Sequence, residues 1–164
     1  MAISSTLQKL DQSSPSGCFA TGLHREIITG VGTTRTLKQE ESGSLCILDQ
    51  AATQTWTLPA PVAGAQFELF WGIKCTGTHK IVTNATTVFL VGAIMVGDGT
   101  TVGDSGDVFE ANGTTIRAFA TDGDTKGGFI GSRLKLTAIS TTQWAITGLM
   151  IGVGSPTVTG FATS

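Results

Sequence analysis

Short apolar runs, each closed by glycine, proline, asparagine or aspartate, constrain this 164-residue chain more than any other feature. Several runs alternate apolar and polar residues, which is the period of a half-buried β-strand, and no segment has the period of an amphipathic helix. The composition agrees, because 27 threonines favour strands and 22 glycines favour turns. The sequence therefore predicts an all-β protein.

The apolar runs are spaced at about 8–12 residues, as in β-sandwiches and barrels. We predict about eight or nine strands in a single antiparallel β-sandwich or barrel with a jelly-roll-like arrangement. In this prediction Gly92 breaks one strand, Gly148 forms a bulge, and Asn112 with Gly113 forms a hairpin turn. The predicted strands are residues 44–49, 54–58, 66–71, 79–83, 87–91, 93–96, 114–119, 132–139 and 143–151.

The first 36 residues differ from the rest of the chain. They are rich in serine, glycine and threonine and contain only scattered apolar side chains. Segments of this kind are ordered only where another surface holds them. We therefore predict an extended N-terminal arm over residues 1–36 and a β-domain over residues 37–164, with a frayed terminus as the alternative to an arm.

The charge of the chain excludes several classes of partner. Charged residues make up 13% of the sequence and the net charge is −2, so the basic surface that binds nucleic acid is not expected. The sequence contains no run of 18 apolar residues, so it predicts no membrane span. Its N-terminus also lacks the apolar core of a signal peptide.

Three widely spaced cysteines (Cys18, Cys46 and Cys75) do not form a disulfide framework, which favours assembly in a reducing cytoplasm. Cys46 and Cys75 are expected in strands of the core.

Residues 103–107 (Gly-Asp-Ser-Gly-Asp) are similar to the nucleophile segment of chymotrypsin-like serine proteases. Such an enzyme also needs a base histidine and an orienting aspartate. His24 and His79 both lack the sequence context of that base, so a turn is the better interpretation. We therefore predict no catalytic residues and no enzyme activity.

Aspartates near these turns raise the question of a cation site. A calcium ion needs six to eight oxygen ligands at defined offsets, and neither an EF-hand nor a calcium-binding repeat is present. We interpret the aspartates as turn formers and predict no metal and no cofactor. The aspartates considered are Asp98, Asp104, Asp107, Asp122 and Asp124.

Aromatic residues also admit two interpretations. At strand spacing they are more often core residues than the lining of a sugar site. We assign five of them to core or subunit packing: Trp56, Phe67, Trp71, Phe89 and Trp144.

One part of the sequence resembles a known family. Residues 40–43 (Glu-Glu-Ser-Gly) precede an apolar strand, residues 55–61 (Thr-Trp-Thr-Leu-Pro-Ala-Pro) follow it, and Gly64 leads into the strand from Phe67. This segment, with residues 143–148 (Gln-Trp-Ala-Ile-Thr-Gly), is similar to the capsid decoration, or cement, proteins of tailed bacteriophages. The cysteines and the Phe70–Trp71 pair depart from the family pattern.

The resemblance implies a homotrimer on the outer surface of a virion, at the three-fold positions of the shell, where it clamps subunits of the major capsid protein. In this hypothesis the arm supplies capsid contacts through Leu7, Leu10, Phe19 and Leu23. A phage fibre or receptor-binding module that binds glycans is the alternative function.

Overall fold

In the computed structural model, residues 25–30, 32–100, 106–153 and 159–164 are described. They form two β-sheets and one turn of 3₁₀ helix at Gln39–Glu41. No helix in these ranges has the length and apolarity to cross a membrane. The strands are β1 (Ile27–Thr29), β2 (Thr34–Thr36), β3 (Leu45–Leu48), β4 (Gln54–Thr57), β5 (Gln66–Trp71), β6 (His79–Val82), β7 (Phe89–Asp98), β8 (Asp107–Asn112), β9 (Ala118–Thr121), β10 (Arg133–Ala138), β11 (Gln143–Gly152) and β12 (Phe161–Ala162).

The two sheets pack face to face, which confirms the predicted all-β sandwich. The larger sheet has seven strands in the order β1-β3-β5-β10-β11-β7-β8, and the smaller has five in the order β12-β9-β6-β4-β2. Alternate residues of β5 and β10 point inward, and the largest buried side chains fill the space between the sheets. Phe67 and Trp144 meet there with ring centroids 5.8 Å apart.

Both sheets are mixed, whereas the prediction specified antiparallel pairing. From β1 to β6 the chain alternates between the sheets, so each strand returns beside the strand two places earlier and runs parallel to it. The period-2 pattern of a strand is the same for both directions of pairing, so the sequence did not distinguish them.

The first two strands lie within the segment that the sequence assigned to an arm. Ile28 pairs with Cys46 at one edge of the larger sheet, and Arg35 pairs with Trp56 at one edge of the smaller sheet. The sandwich therefore begins before residue 37. Residues 1–24 lie outside the described residues.

Two glycine predictions were wrong. Gly92 does not break a strand, because β7 pairs with β11 without interruption from Phe89 to Asp98. Gly148 is not a bulge either, since it stays in register with Leu134. Both positions exclude a side chain: a Cβ at Gly92 would lie 2.3 Å from the Ile146 carbonyl oxygen, and one at Gly148 would lie 2.2 Å from that of Arg133.

The Asn112–Gly113 turn connects the two sheets and does not form a hairpin. The Asn112 side-chain oxygen accepts hydrogen bonds from the backbone N–H groups of Thr114 and Thr115 at 3.0 and 2.9 Å. The chain then enters β9 at Ala118, later than predicted, and β8 before the turn is a strand that the sequence analysis did not identify.

Candidate interaction surface

The predicted chemical residues do not converge in the described part of the chain. There, no three histidine, cysteine, aspartate or glutamate side chains are grouped closely enough to hold one metal ion. Of the serine-protease-like segment, only Gly106 and Asp107 are described, and Asp107 begins β8 at the edge of the larger sheet. His24 and Asp104 lie outside the described residues.

The side chains of Asp98 and Asp122 each form hydrogen bonds within their own loop. One carboxylate oxygen of Asp98 accepts hydrogen bonds from the backbone N–H and the hydroxyl of Thr100. One carboxylate oxygen of Asp122 accepts hydrogen bonds from the backbone N–H groups of Asp124 and Lys126, each at 2.9 Å. Carboxylates used in this way form Asx turns.

His79 is fully buried and packs against Trp71, with ring centroids 6.5 Å apart. Its Nε2 donates a hydrogen bond to the carbonyl oxygen of Ala52 at 3.0 Å. Burial lowers the pKa of His79, which keeps the ring neutral. Because neither ring nitrogen contacts a carboxylate or a hydroxyl among the described residues, the arrangement fits a structural histidine and not a general base.

The two described cysteines are free and buried. Burial raises the pKa of Cys46 to about 12 and also raises the pKa of Cys75. Since the thiolate is the reactive form, neither position has the character of a nucleophile. Cys46 lies in β3, but Cys75 lies in the loop between β5 and β6, not in a strand as predicted.

Four of the five predicted packing aromatics are fully buried: Trp56, Phe67, Trp71 and Trp144. Phe89, the fifth, is half-buried at the start of β7. Phe70 points out of the sandwich, and the guanidinium of Arg133 lies over its ring at 4.9 Å from the centroid. The three tryptophans are therefore not exposed as a platform on which a sugar ring could stack.

One shallow depression lies on the larger sheet, with a volume of about 220 Å³. Arg25, Glu68 and Lys135 supply its charged groups. Glu68 is already paired with Arg25, and with Arg133 at 3.5 Å. The volume is below the ~300 Å³ at which small-molecule sites typically begin. The Glu68–Arg133 ion pair connects β5 with β10.

The outer face of the larger sheet is the most distinctive surface of the described residues. We define the outer face as the side of that sheet turned away from the core. Strand register aligns its exposed side chains in two neighbouring rows across four strands. The first row is Arg133, Leu149, Met95 and Val108, and the second is Lys135, Thr147, Ala93 and Glu110.

The first row is largely apolar and open to solvent. Met95 and Leu149 are each 46% exposed, and Val108 at the sheet edge is 68% exposed. Scattered apolar residues on a surface are ordinary, but neighbouring ones mark interaction sites. The row therefore presents three neighbouring apolar side chains to solvent on β11, β7 and β8.

The sequence analysis did not select these residues, although a signal was present. Residues 89–98 and 143–152 are apolar at both alternate sets of positions, which is typical of strands covered on both faces. We had assigned capsid contacts to Leu7, Leu10, Phe19 and Leu23 instead, and these four lie outside the described residues.

No family model matches the chain, and neither a curated protein nor a solved structure is detectably similar to it.

Proposed function

We propose that this chain is a non-enzymatic structural protein of a tailed-phage virion. In the proposal, it forms a homotrimer that binds the outer surface of the capsid at three-fold positions and stabilises contacts between major capsid subunits. The observation that carries the proposal is the apolar row Leu149, Met95 and Val108, exposed on a sandwich whose described residues assemble no catalytic or metal site.

The low charge of the chain supports the same conclusion. Only 13% of the residues are charged, so few charges oppose association. Proteins with neighbouring apolar residues on a weakly charged surface often cover that surface in an assembly. A virion component would have its apolar row covered for most of its lifetime.

Trivalency is the proposed mechanism of attachment. Three copies held together present three equal sets of capsid contacts, and each contact after the first forms at a high effective concentration. Weak single contacts therefore suffice. We place these contacts in the segment before Arg25, with Leu7, Leu10, Phe19 and Leu23 as the contact residues.

A glycan-binding fibre module is the alternative function, and the described aromatic residues argue against it. Sugar sites in such modules expose aromatic rings, whereas Trp56, Trp71 and Trp144 are fully buried. No described feature favours this alternative over the first.

Two measurements test the proposal. Light scattering across a dilution series is expected to give three times the 16.9 kDa mass of one chain. Sedimentation with capsids that lack decoration protein is expected to remove the full-length chain from solution. A variant without residues 1–20 is expected to remain trimeric and to stay in the supernatant. A stable monomer, or full-length protein that does not sediment with capsids, would contradict the proposal.

A further inference from the structure

The second row of the outer face carries opposite charges on the middle strand β10 and on the edge strand β8. Lys135 lies on β10 and Glu110 lies on β8, and register connects them through Thr147 and Ala93. Both charged side chains are exposed, and neither forms an ion pair within the described residues. The row continues past Lys135 to Glu68 on β5, whose carboxylate is already paired with Arg25 and Arg133. Lys135 and Glu110 are the charged groups of this row that have no ion pair within the described residues.

These two charges lie on either side of the β11–β7 pair, in the half of the sheet that runs from the middle strand β10 to the edge strand β8. The strand order β10-β11-β7-β8 puts β10 and β8 at equal distances from the line between β11 and β7. Neighbouring strands are about 4.8 Å apart, so the two charges are separated by about 14 Å within one copy. They are too far apart to pair with each other, but each can pair with a second copy of the same face.

Rotation about an axis parallel to the strands explains why the pattern fits a second copy. Such a rotation keeps every row at its own height along the axis, and it brings the β10 side of one copy to the β8 side of the next. Lys135 of one copy then lies opposite Glu110 of the next, since both belong to the same row. The apolar side chains of Leu149 and Met95 lie on the strands between these two charges, toward the axis.

The apolar content of β7 and β11 indicates that this part of the face is covered. β7 and β11 form a parallel pair, and parallel strands that are apolar on both faces are normally buried on both faces. Here the inner side chains Ile94 and Ile146 are buried, while the outer side chains Met95 and Leu149 are half exposed.

We propose that the outer face of the seven-stranded sheet is the contact between copies of this chain, closed by an ion pair between Lys135 and Glu110 of neighbouring copies. The number of copies, three, rests on the proposed function, whereas the identity of the contact surface does not. We choose a second copy over the capsid as the occupant because the opposite charges at matched positions are complementary to the same face.

A charge-exchange series tests the contact. Lys135→Glu and Glu110→Lys each place like charges opposite one another at every interface, and the double variant restores opposite charges. We expect each single variant to raise the concentration at which the oligomer dissociates by at least about tenfold, because opposed like charges are strongly unfavourable. The double variant is expected to return to within about threefold of the parent chain.

Lys80→Glu is the matched control, since Lys80 lies on β6 in the other sheet. It makes the same charge change and is expected to leave the oligomer unchanged. Urea unfolding of each variant checks that the fold is retained. Lys135 also has Glu68 as its cross-strand neighbour, and repulsion within one copy between Glu68 and a glutamate at 135 would not be relieved by Glu110→Lys. Rescue by the double variant therefore reports the contact between copies.

Failure of this inference is distinct from failure of the proposed function. Single variants that remain oligomeric at all dilutions, a double variant that is not rescued, or a monomeric parent chain would overturn the contact surface. Rescue in the double variant combined with no sedimentation on undecorated capsids would support the contact surface and overturn the decoration function.

Discussion

The loop at Asp122 can be interpreted as a turn or as a cation site. One pair of substitutions at Asp122 distinguishes these two interpretations. Asp122→Asn keeps the side-chain oxygen that accepts the backbone N–H groups of Asp124 and Lys126, but removes the negative charge. Asp122→Ala removes the acceptor as well. A turn former needs the acceptor, whereas a ligand for a hard cation such as Ca²⁺ needs the charge.

The size of the effect follows from the two hydrogen bonds. Both are 2.9 Å long, which is a normal length, and each contributes about 0.5–1.5 kcal/mol to stability. Asp122→Ala is therefore expected to lower the free energy of unfolding by about 1–3 kcal/mol. Asp122→Asn is expected to lower it by less than about 1 kcal/mol, since only the charge assistance of the bonds is lost.

Urea unfolding followed by tryptophan fluorescence measures this difference, because Trp56, Trp71 and Trp144 are fully buried and become exposed on unfolding. Each variant is measured in calcium and in a chelator. Under the turn interpretation, neither the parent chain nor the variants respond to calcium. Equal destabilisation by Asn and Ala, together with a parent chain that calcium stabilises, would refute the reasoning.

Two further predictions concern buried titratable groups. Because burial lowers the pKa of folded His79 below its unfolded value of 6.5, the unfolded chain takes up the proton first. The stability is therefore fully present above pH 6.5 and falls with a slope of up to about 1.4 kcal/mol per pH unit as the pH drops below it. Comparing the urea midpoints of the parent chain and His79→Gln between pH 5 and 8 checks this, and an unchanged slope in the variant would contradict it. The second prediction uses a Cys18→Ser background and a disulfide reagent at pH 8. Because Cys46 and Cys75 are buried, the reagent is expected to label neither in the native chain and both in urea. Rapid labelling without urea would show that one of them is accessible.

The local pattern of the sequence was sufficient to predict most strands. Short apolar runs, period-2 alternation and turn residues located β5 at its observed bounds, and β3, β4, β6 and β10 within one residue at each end. Burial alternates along these strands because one face of each lies in the core of the sandwich. The inward positions of the tryptophans follow from the same alternation.

Strand pairing was not predictable in the same way. Pairing depends on which sheet each strand joins, and that choice is made by contacts between distant parts of the chain. The winding of β1 to β6 leaves no repeat in the sequence, because the positions that stack are occupied by unlike residues: Ile28 pairs with Cys46, and Cys46 pairs with Leu69. Edge strands were missed for a related reason, since β8 is apolar at only a few positions and follows a glycine-rich segment.

The outer face was partly predictable from the sequence. Apolar residues at both sets of positions in β7 and β11 were visible in the sequence, and alone they predict strands buried on both faces. The single chain buries only one of those faces, and in the proposed contact a second copy covers the other. Register then brings Lys135 and Glu110 into one row, which no spacing in the sequence reveals because β10, β11, β7 and β8 are not in chain order. This surface is assembled from four separated segments and places apolar side chains between two opposite charges. Such a pattern is more selective than an apolar patch alone, and that selectivity favours one defined contact over general adhesion.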